Sequence, residues 1–302
     1  MKTKIYIDGY NLYYGCLKGT CYKWLDLKRL FSDYILPSSV PFSYTLAPDC
    51  INFYTAKIIE KAGRSPDSVK DQDSYHRAIK FAYPDGSVNV KEGYYSVIKT
   101  SAYKVDREQP DKWPRDCERV DIWKLEEKQS DVNLALDAVV DVLTDQELKH
   151  VVFVTNDTDL APALKKIREL SQVKIGLVIP TRDERRANKE LESLAHWTRT
   201  HITDEELSLS GFPRSILGGK KPASRPESWF GQPDILQEIL NTLEEAIPSP
   251  SKRWKWLDEK KPAPDGLPKL SDIPANLLDN EESALAVLEH AKAYVKYIKS
   301  NK

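Results

Sequence analysis

The chain has 302 residues, 40% of them hydrophobic, which is enough for one large domain or for a domain with an appendage. Its formal net charge of −1 gives no overall positive field that would attract nucleic acid, and its four cysteines show no metal-binding spacing. No apolar stretch reaches membrane-spanning length and no apolar leader follows MKTK, so we expect neither export nor a membrane partner, but a cytoplasmic protein with reduced thiols.

Strand-like segments alternate with helical ones through the first two thirds of the chain. The strand-like segments are 4–7, 51–57, 94–99, 121–125, 150–155 and 174–179. Several are near-continuous apolar runs, which is typical of strands buried on both faces. Helical periodicity is clearest over 132–143 and 160–170, each beside a strand. This order predicts an α/β fold with a mostly parallel sheet.

The last third of the chain has a different character. Prolines and glycines mark a connector from Thr203 to Pro226, and helices are predicted over 234–246 and 281–298. We therefore predict one domain over 1–205, and a connector with a smaller helical C-terminal appendage over 206–302. Trp254 and Trp256 alternate with basic residues, and we favour a role in the core of the appendage over stacking on nucleobases. The terminal helix leaves self-association into a homo-oligomer open.

Four carboxylates lie at predicted strand ends or helix starts. They are Asp8, Asp131, Asp157 and Asp159. Because ligands bind outside the carboxyl ends of strands in open α/β sheets, we expect these acids to converge at one edge. Carboxylates drawn together repel one another, and one or two hard cations such as Mg²⁺ or Mn²⁺ would resolve the conflict. Singly, each acid also has a structural alternative in a turn or a helix cap, such as a helix that begins at Leu12 with Asn11 as its cap.

Four segments carry a family resemblance: YIDGYNLYYG, KLEEKQSDVNLALDAVVD, VVFVTNDTDLAPALKKI and KIGLVIP. They resemble the NYN family of PIN-like nucleases, over about residues 1–205. The resemblance implies a three-layer α/β/α PIN-like sandwich whose acidic cluster binds Mg²⁺ or Mn²⁺ and hydrolyses RNA. Matched position by position, Asp8, Asp131, Asp157 and Asp159 become the catalytic and metal-binding acids, and Asn11 is the asparagine of DGxN. Gln129 stands where the family usually has glycine.

The resemblance predicts a metal-dependent ribonuclease, an endoribonuclease that takes single-stranded or structured RNA as its partner. The residues predicted to bind substrate are Asn11, Lys128, Arg182, Arg185 and Arg186, and second-tier candidates are Asn133, Asp137, Thr155 and Asn156. Structural alternatives stay open for the cations: an ion pair with Glu126 or Glu127 for Lys128, and a solvated charge run for the arginines. Two other functions stay open, a phosphatase-like hydrolase of small phosphate esters and a non-catalytic RNA-binding or scaffold protein.

Overall fold

The computed structural model describes residues 1–63, 65–184, 188–258 and 278–300. Over these described residues the chain forms two compact units. One comprises Met1–Lys18 and Leu25–Ser224, and the other comprises Gly19–Trp24 and Arg225–Lys302. The first unit thus continues past the division that we predicted at residue 205, and it leaves out a short internal segment.

Strands of the first unit build its sheet. They are β1 (Lys2–Asp8), β2 (Thr45–Lys57), β3 (Val88–Tyr103), β4 (Arg119–Lys128), β5 (Leu148–Val154), β6 (Lys174–Val178) and β7 (Trp197–Arg199). In the described part of the chain these form a seven-stranded sheet in the order β4-β3-β2-β1-β5-β6-β7. Neighbouring strands are parallel except β3 and β4, which pair antiparallel from Tyr94↔Lys128 to Tyr103↔Arg119. A separate short pair joins β8 (Ser215–Ile216) to β9 (Ala223–Ser224).

Helices cover the sheet and make up most of the second unit. Those of the first unit are α1 (Gly9–Leu12), α2 (Leu27–Arg29), α3 (Leu36–Ser39), α4 (Ser68–Ala82), α5 (Ser130–Thr144), α6 (Ala161–Leu170), α7 (Lys189–Leu194) and α8 (Asp204–Leu209). Those of the second unit are α9 (Pro233–Glu244), α10 (Pro250–Asp258) and α11 (Glu281–Ser300). A π-helical turn, Tyr13–Leu17, continues α1, and a second one, Leu30–Ile35, joins α2 to α3. None of the described helices is long and apolar enough to cross a membrane.

The central strand is buried on both of its faces. Ile5, Tyr6 and Ile7 in β1 are all fully buried, although their side chains alternate between the two faces of the sheet. Tyr6 belongs to the core that α5 and α6 form with β5 and β6. This burial explains the apolar runs in the sequence, and it confirms the predicted α/β fold with a mostly parallel sheet.

The second unit has a core of its own. Leu236, Ile239 and Leu243 of α9 pack with Val287 and Leu288 of α11. Trp256 joins this core with an exposure of 4%, and Trp254 packs against it. The preference for a core role for the two tryptophans therefore agrees with the structure, as do the predicted C-terminal helices.

Candidate functional site

The predicted acids lie at the edge of the sheet where β1 and β5 end. Asp8 is the last residue of β1, Asp157 and Asp159 follow β5, and Asp131 lies in the first turn of α5. Burial is the largest cause that raises the pKa values of Asp8 and Asp131; the charge of Asp131 adds to it at Asp8, and the charges of Asp157 and Asp159 add to it at Asp131. Asp131 is therefore within electrostatic range of each of the other three acids. We call this group the acidic rim.

Asp8 is a buried carboxylate surrounded by hydrogen-bond donors. It is 3% exposed, and it accepts bonds from the Asn11 backbone N–H (2.9 Å), the Asn11 side-chain amide (2.5 Å) and the Thr155 hydroxyl (3.0 Å). Burial raises its pKa to about 6, against the lowering effect of these donors. Asp8 also caps α1, so the helix begins at Gly9 and not, as in the structural alternative with an Asn11 cap, at Leu12.

A second loop, after β5, is tied to the first by amide and hydroxyl groups. The Asn156 backbone N–H approaches the Asn11 side-chain oxygen at 3.4 Å, and the Asn156 side-chain oxygen accepts from the Asn188 N–H at 3.0 Å. The Asp157 N–H donates to the Thr155 hydroxyl, and the Asp157 carboxylate accepts from the Asp159 N–H, both at 3.0 Å. The two acid-bearing loops are thus fixed relative to each other by hydrogen bonds of Asn11, Thr155 and Asn156.

The third loop carries Asp131 and an acid that the sequence analysis did not select. Gln129, before the helix, has φ of 76°, which is the left-handed region that favours glycine, and this explains why the family usually has glycine there. The Ser130 hydroxyl donates to the Glu127 carboxylate. Burial is the main cause that raises the pKa of Glu127, and the Asp131 charge adds to it. From the sequence we considered Glu127 only as one of two possible ion-pair partners for Lys128. In the structure Lys128 pairs with the other one, Glu126, at 2.6 Å.

Tyrosines flank the acidic rim, and the sequence analysis missed them as well. Tyr10 and Tyr14 are 46% and 47% exposed, and their ring centroids lie 4.4 Å apart. After burial and the Tyr14 hydroxyl, the charges of Glu127 and Asp8 contribute to the raised pKa of Tyr10. Tyr95 interacts with Glu127 through its hydroxyl. The signal was present in YIDGYNLYYG, where two tyrosines stand four residues apart directly after Asp8.

Some of the predicted substrate-binding residues and second-tier candidates lie away from the rim or are held by other partners. Arg182 pairs with Asp204 at 3.2 Å. Asp137 accepts from the Tyr54 hydroxyl at 2.9 Å and lies 3.8 Å from the Lys91 ammonium, in a cavity on the α5 side of the sheet. The described contacts of Asn133 are those of its backbone within α5. Arg185 and Arg186 lie outside the described residues.

The donor chemistry of the rim suits a hard cation. Its mutually interacting acidic groups are carboxylates and phenols, oxygen donors of the kind that Mg²⁺ and Mn²⁺ prefer. Among the described residues, however, no three carboxylate, imidazole or thiolate groups lie close enough together to form a ready-made metal site. Asp8 already accepts three hydrogen bonds, so Asp131, Asp157 and Asp159 are the acids with more freedom to bind an ion.

Fold and site together define an α/β protein with oxygen-rich loops at the carboxyl edge of a mostly parallel sheet. Residues 2–200 match the NYN domain, and the chain therefore belongs to the NYN domain family. NYN domains are typically metal-binding. This confirms the family that the motifs indicated.

Two further similarities were found. The chain is 45% identical over 304 aligned residues to 6-hydroxy-3-succinoylpyridine 3-monooxygenase HspA of Pseudomonas putida, with 98% of this chain and 95% of that protein covered. A crystal structure of a protein of unknown function from Vibrio parahaemolyticus matches with a TM-score of 0.37 and 16% identity, over 68% of this chain and 94% of that one. A TM-score this low supports no argument about fold or function.

The full-length relative overturns the predicted function. We expected a metal-dependent ribonuclease, with a phosphatase-like hydrolase or a non-catalytic RNA-binding protein as alternatives, but a relative with 45% identity along almost the whole chain is a monooxygenase. The motifs identified the family correctly and the reaction wrongly, because shared acid positions do not determine which chemistry a fold supports. RNA as a partner and a homo-oligomeric state stay predictions.

Proposed function

We propose that this chain is a monooxygenase that acts on 6-hydroxy-3-succinoylpyridine or a closely related hydroxypyridine. The observation that carries the proposal is 45% identity to such an enzyme over 98% of this chain and 95% of the relative. The similarity includes the C-terminal helices as well as the NYN domain, so it extends over both compact units.

The reaction needs a co-substrate and an electron source. In a monooxygenation the substrate gains one atom of O₂, the other atom leaves as water, and two electrons and two protons are consumed. A two-electron donor of the reduced nicotinamide class supplies the electrons in our proposal, either directly or through a flavin. The proposal assigns this chain the tasks of binding the ring, orienting it and keeping competing water away.

We place the reaction at the acidic rim. Glu127, whose pKa is raised, is suited to a hydrogen bond with the hydroxyl or ring nitrogen of a hydroxypyridine, while Asp8 fixes the loops of the rim through the hydrogen bonds that it accepts. Asp131, Asp157 and Asp159 would hold Mg²⁺ or Mn²⁺, and a bound ion would offset their mutual repulsion and attract the ring oxygen. A cytoplasmic setting belongs to the same proposal, supported by the four cysteines, which are all free.

An isotope experiment tests the proposal. Purified protein is incubated with 6-hydroxy-3-succinoylpyridine and NADH under ¹⁸O₂, with and without added flavin, and the products are analysed by mass spectrometry. We expect a pyridine product that carries one ¹⁸O atom and depends on the donor. Asp8→Asn and Asp131→Asn should lower the rate at least tenfold.

The matched control for these variants is Asp137→Asn, which changes a carboxylate on the same helix as Asp131 but away from the rim. EDTA followed by Mg²⁺ or Mn²⁺ tests the ion separately. No incorporation of ¹⁸O with any of the donors would contradict the proposed reaction. Equal losses of the oxygenation rate in Asp137→Asn and Asp131→Asn would contradict the placement of the reaction at the rim.

A further inference from the structure

Three side chains form a row along the helical segment that follows Asp8. Tyr10, Tyr14 and Lys18 are spaced four residues apart, so they lie roughly along one side of the segment. The rings of Tyr10 and Tyr14 are 4.4 Å apart, with their planes inclined at 36°. The Lys18 ammonium lies over the Tyr14 ring, 4.4 Å from its centroid. We call these three residues the Tyr–Lys row.

The backbone under the row is held firmly against the sheet. A Cβ atom added at Gly9 would lie 2.4 Å from the Tyr54 carbonyl oxygen, and one added at Gly15 would lie 1.7 Å from the Pro180 carbonyl oxygen. Both glycines are therefore required for close packing of this segment. The row is consequently a preformed surface, and a ligand that binds it need not order a loop first.

The row offers an unusual combination of exposed groups. Tyr10 and Tyr14 are each nearly half exposed, although large aromatic side chains are usually buried. Among the described residues the Lys18 ammonium contacts the Tyr14 ring and has no carboxylate partner. Flat rings beside an unneutralised cation suit a ligand that is aromatic at one end and anionic at the other.

The electrostatic environment is different at the two ends of the row. Glu127 and Asp8 act on Tyr10, so the first end adjoins the acidic rim, whereas Lys18 provides a positive charge at the other end. An anionic tail is repelled at the first end and attracted at the second. The row therefore favours one orientation of a bound ligand, with its ring next to the rim.

We propose that the Tyr–Lys row positions the substrate, stacking the pyridine ring on Tyr10 and Tyr14 and pairing the carboxylate of the succinoyl tail with Lys18. This inference rests on the proposed function and assigns the substrate specificity of the same site. The two 4.4 Å distances put the Lys18 ammonium within about 9 Å of the Tyr10 ring centroid. A pyridine ring with a four-carbon acyl tail is on the order of 10 Å long, so its ring and its carboxylate can reach both ends of the row together. Tyr10, Tyr14 and Lys18 are positioning residues in this scheme.

Binding without turnover tests the proposal. Affinity is measured by calorimetry, without reductant, for 6-hydroxy-3-succinoylpyridine and for 2-hydroxypyridine, which has no tail. We expect Lys18→Met to weaken binding of the first compound about tenfold and to leave binding of the second unchanged. Tyr14→Leu should weaken binding of both compounds about fivefold, because both stack through the ring.

A similar pair on the β3–β4 strands provides the control. Tyr103 is 47% exposed, and the Arg119 guanidinium lies 5.3 Å from its ring centroid. Tyr103→Leu and Arg119→Met should leave both affinities unchanged. The proposal would be overturned if Arg119→Met weakened binding as much as Lys18→Met does, or if Lys18→Met weakened the binding of both compounds equally. A wild-type protein that binds neither compound would overturn it as well.

The two proposals fail in distinguishable ways. If the wild-type protein oxygenates the substrate but Lys18→Met and Tyr14→Leu bind it normally, the row is not the positioning surface and the monooxygenase proposal stands. If the variants lose affinity as expected but no ¹⁸O is incorporated, the row is a binding surface in a protein with another reaction.

Discussion

Asp8 combines a structural and a chemical role in one side chain. Its carboxylate caps α1 and receives the Asn11 and Thr155 hydrogen bonds that join two loops, yet burial raises its pKa to about 6. The structural alternative that the sequence offered for Asp8 and its proposed part in the site are therefore compatible. A charged carboxylate in this position costs folding free energy at neutral pH.

We expect the stability of Asp8→Asn relative to the native metal-free protein to increase as pH rises towards neutral. The folded pKa of about 6 exceeds the ordinary value of 3.8, so the folded state binds more protons between these values and loses stability as pH rises through them. The free energy of unfolding of Asp8→Asn minus that of the native protein should therefore rise by at most about 3 kcal/mol between pH 4 and pH 6, on top of a pH-independent loss from the hydrogen bonds that an amide cannot accept. Urea unfolding in EDTA across this pH range measures it.

Asp106 provides the opposite control for this prediction. Backbone hydrogen bonds from Glu108 and Gln109 lower the pKa of Asp106, so its stabilising effect is present at neutral pH and is lost as pH falls. Asp106→Asn should therefore destabilise the protein at neutral pH. A stability difference for Asp8→Asn that does not change with pH would show that Asp8 is not held in a buried, charge-disfavouring site.

At the scale of single elements, α5 shows which part of the sequence pattern was ambiguous. By helical spacing, Val132, Leu136, Val140 and Leu143 share one side of the predicted helix, but all four are at least half exposed. The buried face instead carries Leu134, Ala138 and Val142. Because the helix is apolar on both faces, periodicity predicts the helix itself and not the side that meets the sheet.

This difference gives a direct test on α5. Leu134 is fully buried and Leu136 is 58% exposed. Leu134→Ala should lower the free energy of unfolding by about 3 kcal/mol, because it leaves a cavity between the helix and the sheet. Leu136→Ala should change it by less than about 0.5 kcal/mol. The free energies of unfolding are measured by chemical denaturation. If both variants lost the same amount, the exposed face of α5 would be covered in solution.

The sequence predicted those helices and strands whose burial produces a clear pattern of apolar residues. The predicted helices at α5, α6, α9 and α11 and the strands β1, β5 and β6 were found because apolar runs mark them. β7 was missed since its three residues pair with β6 through the backbone and carry little apolar pattern. The long β3 and β4 extend beyond the predicted segments 94–99 and 121–125 at both ends, because polar and charged residues interrupt the apolar pattern there.

At the scale of the whole molecule, the site positions were more predictable than the reaction. Strand ends and motif spacing indicated that Asp8, Asp131, Asp157 and Asp159 would gather at one edge, and the structure brings them within electrostatic range. The flanking tyrosines were missed although the four-residue spacing of Tyr10 and Tyr14 is visible in the sequence, because spacing alone does not show that both side chains are exposed beside the acids. Glu127 was missed because its charge suggested only an ion pair. The similarity over the full chain, and not any motif, corrected the function.

The second compact unit includes Gly19–Trp24, which lies far from the rest of that unit in the sequence. Trp24 is 2% exposed and packs edge-on against Trp229 at 6.3 Å, and Arg225 donates to the Cys21 carbonyl oxygen at 2.8 Å. A fragment that ends at Ser224 keeps Trp24 but lacks these partners. The unit therefore cannot be removed by a single cut without consequences for the first part of the chain.

We expect the fragment 1–224 to be less stable than the full chain. Exposure of one large buried side chain such as Trp24 costs about 2–3 kcal/mol. The fragment should melt at a lower temperature in calorimetry and bind a hydrophobic dye, and Trp24→Ser should reduce the dye binding. A fragment with the melting temperature of the full chain would contradict the role of this segment in the second unit.

The position of β1 in the sheet has a consequence for synthesis on the ribosome. β1 leaves the ribosome before the other strands of the sheet, yet it pairs on one side with β2 and on the other with β5, which begins only at Leu148. At ordinary translation rates the nascent chain waits on the order of ten seconds before the second partner is available. During that interval an apolar strand edge is open to wrong pairing, so early chaperone capture would protect the yield of folded protein.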